Sequence, residues 1–529
     1  MEKQLIKIAE DSTRSGFYLF LGQVLSTIIL AVSSILVARF LGPTLYGQYT
    51  LALVTPQLLF LFTDLGISQG IIKFTASLHV RGKLKHAIKV VKYGFIIRLS
   101  TGIIISALNF IFADSFATIL LQRPELTFYV RITSISILFQ AIYSTVNSTF
   151  VGLDKTEYNA FLTNLQAASK ALISIVLVVL GFGIYGAIIG HIIGYVTATA
   201  SGMLLLMVIL RRLLQHESRV IDNSDNSKSG IKNLLQYGLP LYLSILLTGF
   251  VPLYQNIILA FFANDIDIGN YRAAINFTTL LTMFSIPITT ALLPAFSKLN
   301  STRDSKLGTF FELANRYTSI VVIPLTLVMI IFSKEIVELI YGSNYTSAPI
   351  FLAMYCLVYL LTGFGYLTLI SFYNGIGKTK LTLQMNLISF LIFTVFSPVF
   401  TSIYKVLGLI ATFIMANIAS TSYGAYIAKE KFKAEFGLRT ITKIYIASFI
   451  SAIPTVAMLR LICLPVLIRL ISGLSLYLVI YITVAPILHI VTKTETKNIT
   501  GIAQKVPLMK IVMNPLLKYQ QKILKLSEN

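Results

Sequence analysis

Long apolar runs separated by short polar joins fill the chain from residue 16 to residue 490. About fourteen can be drawn, at 16–38, 46–71, 93–113, 128–151, 159–181, 184–210, 236–262, 269–293, 316–333, 348–373, 381–404, 406–428, 441–463 and 466–490. A helix needs about 20 apolar residues to cross a bilayer core, and most of the runs reach that length. Continuous apolarity predicts helices, because a membrane barrel strand would alternate and be shorter. The expected fold is an all-α polytopic membrane protein of about 14 transmembrane helices.

The joins alternate in charge. One set carries "KFTASLHVRGKLKHAIKVVKYG", "RRLLQHESRVIDNSDNSKSGIKN", "KLNSTRDSKLG", "GIGKTK" and "AKEKFKAEFGLRT". The other carries "ADSFATILLQRPEL", "GFG", "ANDIDIG" and "ELIYGSNYTSAP". Most of the 43 Lys and Arg residues fall in the first set or at the two ends. Basic joins stay in the cytoplasm, so both termini are expected inside the cytoplasmic membrane. The net charge of +22 then reflects topology and attraction to anionic lipid. It is spread over alternate joins instead of forming one basic face, so no nucleic-acid partner is expected.

Composition agrees with the pattern: 56% of residues are hydrophobic, 12% are charged, and mean hydropathy is +0.79. Soluble domains are nearer a quarter charged. Tryptophan is absent, leaving 27 tyrosines and 35 phenylalanines to supply interfacial belts. The two cysteines, Cys356 and Cys463, lie in apolar runs and suggest neither disulfide nor metal cluster. The polar start "MEKQLIKIAEDSTRSG" leads into a run without a small-residue cleavage site, so the first run is expected to remain as a span. The basic, partly apolar tail suits an amphipathic helix on the inner leaflet or a mobile segment.

A shift of 222 residues sets "ILVARFLGPTLYGQYTLA" on "IILAFFANDIDIGNYRAA". Ala38 meets Ala260, Phe40 meets Phe262, Gly47 meets Gly269, Tyr49 meets Tyr271 and Ala52 meets Ala274. Farther on, Asn164 meets Asn386 and Gly186 meets Gly408, while "GLDKT" at 152–156 meets "GIGKT" at 375–379 with one residue of slippage. The near-constant offset predicts an internal duplication of six spans per copy. An even number makes the repeats parallel, related by an axis along the membrane normal. The expected organisation is a cytoplasmic N-terminus 1–15, a six-helix lobe 16–210, a cytoplasmic linker 211–235, a second lobe 236–428, two additional helices in 441–490, and a basic cytoplasmic tail 491–529. "RFLGPTLYGQY" at 39–49 becomes the outer turn between the first two spans, with Gly42-Pro43 as turn signal and Tyr46 and Tyr49 suited to the interface.

"ILVARFLGPTLYGQYTLA", followed by "FTDLGISQGIIKF", resembles the start of polysaccharide-biosynthesis flippases of the multidrug/oligosaccharidyl-lipid/polysaccharide exporter superfamily. "FVGLDKTEYN" and "FYNGIGKTKL" resemble the family's cytoplasmic turns. The likeness implies a non-enzymatic transporter of polyprenyl- or dolichyl-(pyro)phosphate-linked oligosaccharide, working by alternating access. It also implies membrane lipids and glycan-assembly enzymes as partners.

Charges inside spans cost about 2.5–3.5 kcal/mol on insertion scales, which marks each for function. Lys170 is deepest, with Asn164 and Gln166 on the same helix. Arg98 lies in the third span, and Arg39 and Arg272 near the outer ends of the first and eighth. These four are the candidate substrate-binding residues; Arg131 is a further cation. Arg39, Arg98 and Arg272 also suit snorkelling to headgroups. Asp64 suits ion coupling or a charge pair with Lys73 or Arg98. His191 suits packing, and Gln255, Asn256, Asn276 and Asn386 suit interhelical hydrogen bonds. The positive excess leans toward an anionic, phosphate-bearing cargo. A drug or cation antiporter of the same superfamily remains the alternative. A membrane glycosyltransferase or polymerase would want a large acidic outer loop, and a scaffold would need no buried charge. No catalytic cluster, metal site, nucleotide loop or cofactor motif is apparent, and "GIGKT" reads as a turn.

Overall fold

A computed structural model describes residues 2–215, 227–301, 307–462, 464–490 and 519–520. Cys463, part of the 211–235 linker and nearly all of the 491–529 tail lie outside the described residues. By packing, the chain divides into Met1–Arg272 and Ala273–Asn529.

The N-terminal unit starts with α1 (Glu2–Ala52), whose helical path breaks at Gly42 (φ 73°, ψ 172°), at the predicted outer turn. Then come α2 (Val54–Leu61), α3 (Ile67–Val80) and α4 (Leu84–Ile111). A short α5 (Ala113–Ser115) leads to α6 (Thr127–Gly152) and α7 (Thr156–Leu177). Next are α8 (Gly183–Gln215) and α9 (Ser227–Phe262). The unit ends in the first residues of α10 (Asp265–Ser301).

The second unit holds the rest of α10, then α11 (Leu307–Ile331), α12 (Ser333–Tyr341), α13 (Ala348–Cys356) and α14 (Thr368–Gly375). It closes with α15 (Thr379–Phe432), α16 (Leu438–Leu461) and α17 (Val466–Ile487). Phe332, Ile444, Tyr477 and Tyr481 share one core, so the two added helices are packed on the repeat helix α11. Arg316 donates from Nη2 to the Ile490 carbonyl at 2.6 Å, and Arg469 meets Glu335 at 3.3 Å. Another core joins Phe296, Phe311, Phe372 and Met385.

Among the described residues, eight helices are long and apolar enough to cross a membrane, or nine with the bent Ala348–Phe364 and Thr368–Gly375 pair. Three of them, Tyr18–Leu61, Thr156–Arg212 and Thr379–Phe432, exceed 40 residues and are folded at Gly42, at 181–183 and at Lys405. Each therefore takes in two predicted runs, except that 46–71 continues past Leu61 into α3; with α9, α10 and the bent pair, each predicted run is mainly helical among the described residues. The protein is an all-α, multi-pass membrane protein.

Two local features depart from the expected pattern. The second run is broken: the chain leaves the helix after Leu61 and restarts at Ile67, through Leu65 (φ 48°) and Gly66 (φ 82°). A broken helix is tolerated at membrane depth where protein covers the freed backbone groups. The basic join after it is also mostly helical, in α3 and the start of α4.

Candidate functional site

The break at 62–66 brings charges together. Arg98, only 1% exposed, reaches from α4 to the gap between α2 and α3. Its Nη1 donates to Thr63 Oγ1 at 2.7 Å and lies 3.7 Å from Asp64 Oδ1. Its guanidinium sits 5.6 Å from the Phe60 ring. Asp64 Oδ1 also accepts from the Ser68 backbone N–H at 3.0 Å, holding the start of α3, and Thr101 Oγ1 donates to the Thr63 carbonyl at 3.1 Å. Opposite the break, Gly66 and Gly238 of α9 touch backbone to backbone, and a methyl group on either would overlap the other. Of the two partners considered for Asp64, the structure gives Arg98.

Lys170 has different surroundings. It lies 14 residues into α7, about 21 Å along the helix axis. There α7 and α8 approach so closely that a Cβ on Gly194 would stand 2.8 Å from Lys170 Cβ. Small residues allow such a seam in a membrane. Lys170 lies within the electrostatic reach of Arg272 on α10, and His191 of α8 within that of Lys170. Arg272 also acts on Tyr49 of α1. Among the described residues, neither Lys170 nor Arg272 forms an ion pair with a carboxylate. His191, 5% exposed, has no hydrogen-bond partner at Nδ1. Two cations and an imidazole thus share one region without a counter-charge.

Beside this cluster lies a cavity of about 340 Å³, lined by Gln140, Tyr143, Ser144, Asn147, Asn159 and Tyr195 among others. Gln140 Nε2 donates to the Tyr195 hydroxyl at 2.8 Å. Tyr195 meets Tyr143 edge-on at 5.6 Å and His191 edge-on at 5.2 Å between ring centroids. The volume is at the lower end of ordinary ligand pockets, about 300–1,000 Å³.

At the 39–49 turn, expected on the outer side, the two repeat copies meet. Gly47 packs on the Asp265 backbone, and its repeat mate Gly269 packs on the Pro43 backbone; a methyl group at either would overlap. Pro43 and Asp265 are separated by the same 222 residues, so the contact is reciprocal about a pseudo-twofold axis. Arg123 ties it down: Nε meets Asp265 Oδ1 at 2.7 Å, and Nη2 donates to the Ala263 carbonyl at 2.9 Å. Gln48 Nε2 donates to Asp265 Oδ2 at 2.8 Å. With the contact of Gly66 and Gly238, this turn contact joins 236–272 to the first unit, although the sequence pattern begins the second repeat there. Tyr46 and Tyr49 are 3% and 8% exposed, so they are packing residues of this turn, not an interfacial belt.

Arg39 lies exposed on α1, three residues before the break at Gly42. Arg131 is exposed and sits over the Phe110 ring at 5.5 Å. Gln255 Oε1 accepts from the Tyr271 hydroxyl at 3.4 Å. Arg123, Tyr195 and the amides of the cavity were not singled out from the sequence. Arg123 carried one signal: it is an arginine in a join expected on the outer side, where arginine is disfavoured.

Residues 12–300 match the family described as polysaccharide biosynthesis protein. Among solved structures, the lipid II flippase MurJ in an inward closed conformation aligns with a TM-score of 0.69 at 17% identity, covering 87% of this chain and 97% of that one. An inward-facing multidrug resistance MATE family transporter of the MOP superfamily aligns with a TM-score of 0.62 at 16% identity, covering 78% and 98%. A MOP superfamily transporter from Pyrococcus furiosus, described as having a binding pocket of reverse polarity that suggests a different function, aligns with a TM-score of 0.54 at 17% identity, covering 80% and 95%. No curated protein sequence matches. At these identities the structural likeness establishes the fold.

Proposed function

The chain belongs to the polysaccharide biosynthesis protein family, and on that premise we propose that it is a flippase. Its cargo is polyprenyl- or dolichyl-(pyro)phosphate-linked oligosaccharide, carried outward across the cytoplasmic membrane by alternating access. Both termini face the cytoplasm, and glycan-assembly enzymes supply and use the cargo. The observation that carries this reading is the pairing of Lys170 with Arg272, two cations within electrostatic range that have no carboxylate partner among the described residues. Cations held together in a low-dielectric region repel one another until an anion joins them. A phosphate is such an anion, and arginine offers it two parallel donors.

The membrane potential suffices to drive export. Moving two negative charges outward across 100 mV, inside negative, releases roughly 4–5 kcal/mol at about 2.3 kcal/mol per charge. The MATE-like fold also accommodates a drug or cation antiporter. That reading needs an available carboxylate, and Asp64 is engaged by Arg98 and by the start of α3. In proteoliposomes holding the purified protein, outward movement of a fluorescent polyprenyl-pyrophosphoryl disaccharide should accelerate when an inside-negative potential is imposed. Movement of a lipophilic cation instead, with none of the glycolipid, would establish the antiporter.

A further inference from the structure

We propose that the uncharged cavity of the N-terminal unit is the subsite for the glycan end of the cargo, adjoining the cations that hold its phosphate. The inference rests on the flippase reading and assigns the second half of the same binding path.

The chemistry of the lining selects the ligand class. No Asp, Glu, Lys, Arg or His lines the cavity. Gln140, Ser144, Asn147 and Asn159 present amides and a hydroxyl, which donate and accept at once as sugar hydroxyls require. Tyr143 and Tyr195 add ring faces and edges, apolar surface against which the C–H face of a pyranose packs. A cationic drug would call for a carboxylate, which the lining lacks. An acyl or polyprenyl chain would leave the amides desolvated and unpaired. Asn147 Oδ1 is already buried without a hydrogen-bond partner. Such an acceptor costs stability until a donor fills it.

Position joins the cavity to the cations. Asn159 and Lys170 lie 11 residues apart on α7, about 16 Å along the axis. Tyr195, which lines the cavity, and His191, which lies within the field of Lys170, are one turn apart on α8 with their rings edge-on. A chain of neighbours therefore leads from Tyr195 in the cavity lining to His191 beside it and to Lys170, whose Cβ packs at Gly194, the residue before Tyr195. In the proposed orientation the cavity is on the cytoplasmic side of the cations. A cargo entering from the cytoplasm places its phosphate on Lys170 and Arg272 while its sugars trail into the cavity.

The test uses the full-length protein in nanodiscs and two probes, a polyprenyl-pyrophosphoryl disaccharide and the same polyprenyl pyrophosphate without sugar. Asn147→Leu, which nearly conserves volume, and Asn159→Ala should each weaken binding of the glycosylated probe by roughly three- to tenfold, as for a lost hydrogen bond. Neither should alter binding of the bare pyrophosphate, whereas Lys170→Ala should weaken both. Equal losses for the two probes in both cavity variants would make the cavity structural and overturn the assignment, as would no loss for either probe. Tetraphenylphosphonium binding that is abolished by Asn147→Leu would assign the cavity to lipophilic cations instead. Failure of the wild-type protein to bind either pyrophosphate would overturn the flippase reading itself, and the subsite with it.

Discussion

Arg98 and Lys170 both sit within predicted spans of the N-terminal unit, one on α4 and one on α7, yet their neighbours differ in kind. Arg98 faces a carboxylate at 3.7 Å, a threonine hydroxyl at 2.7 Å and an aromatic ring, all from the segment around the α2–α3 break. Lys170 faces the field of another cation. The same side-chain charge therefore serves two purposes. Arg98 has a counter-charge at the helix break, although its Nε and Nη2 have no hydrogen-bond partner. Lys170 and Arg272 have no carboxylate partner among the described residues, and in the proposed function they are the cations that receive the cargo's phosphate. Position in a span marks both as unusual; only the neighbours separate architecture from binding.

The largest effect should follow from breaking the paired side of this contrast. Arg98→Ala leaves Asp64 without its cation beside a helix break, and loss of one partner of a buried pair costs about 3–5 kcal/mol. The variant should show a clear fall in the thermal midpoint measured on detergent-solubilised protein, and Asp64→Asn in the Arg98→Ala background should restore part of it. No fall would place Arg98 among the free cations. The unpaired side should behave oppositely. Lys170→Met removes a charge with no protein partner, so the thermal midpoint should hold or rise while glycolipid transport is lost. The smallest effect belongs to Arg39, exposed just before the break in α1. Arg39→Ala combined with Arg272→Ala should change glycolipid affinity additively, within about 0.5 kcal/mol, as independent sites do. Coupling beyond that would bring Arg39 into the site.

Much of the fold could be read from the chain because membrane helices advertise themselves by continuous apolarity, and the turns at Gly42, at 181–183 and at 405 fall where the runs were divided. The reciprocal contact of Gly47 and Gly269 gives physical meaning to an offset visible in the sequence alone. The break at 62–66 was hidden because "FTDLGIS" offers only one charge and one glycine within an apolar run. Which way a residue faces around its helix was hidden too, so Tyr46 and Tyr49 suited an interface yet are packed inside. Arg123 finds Asp265 142 positions away, a pairing no local pattern encodes. For the cavity, residues such as Asn147, Asn159 and Tyr195 come from α6, α7 and α8, and only folding assembles them.

Transport by charge-altered variants tests the central claim most directly. In proteoliposomes with an imposed inside-negative potential, initial rates of polyprenyl-pyrophosphoryl disaccharide export would be compared for the wild type, Lys170→Ala, Lys170→Arg and Arg272→Ala at matched protein incorporation. Charge-assisted hydrogen bonds contribute about 1.5–3 kcal/mol each, so Lys170→Ala and Arg272→Ala should each lose roughly 10- to 150-fold, with Lys170→Arg retaining most of the rate. Wild-type export rates in both Lys170→Ala and Arg272→Ala would contradict the account.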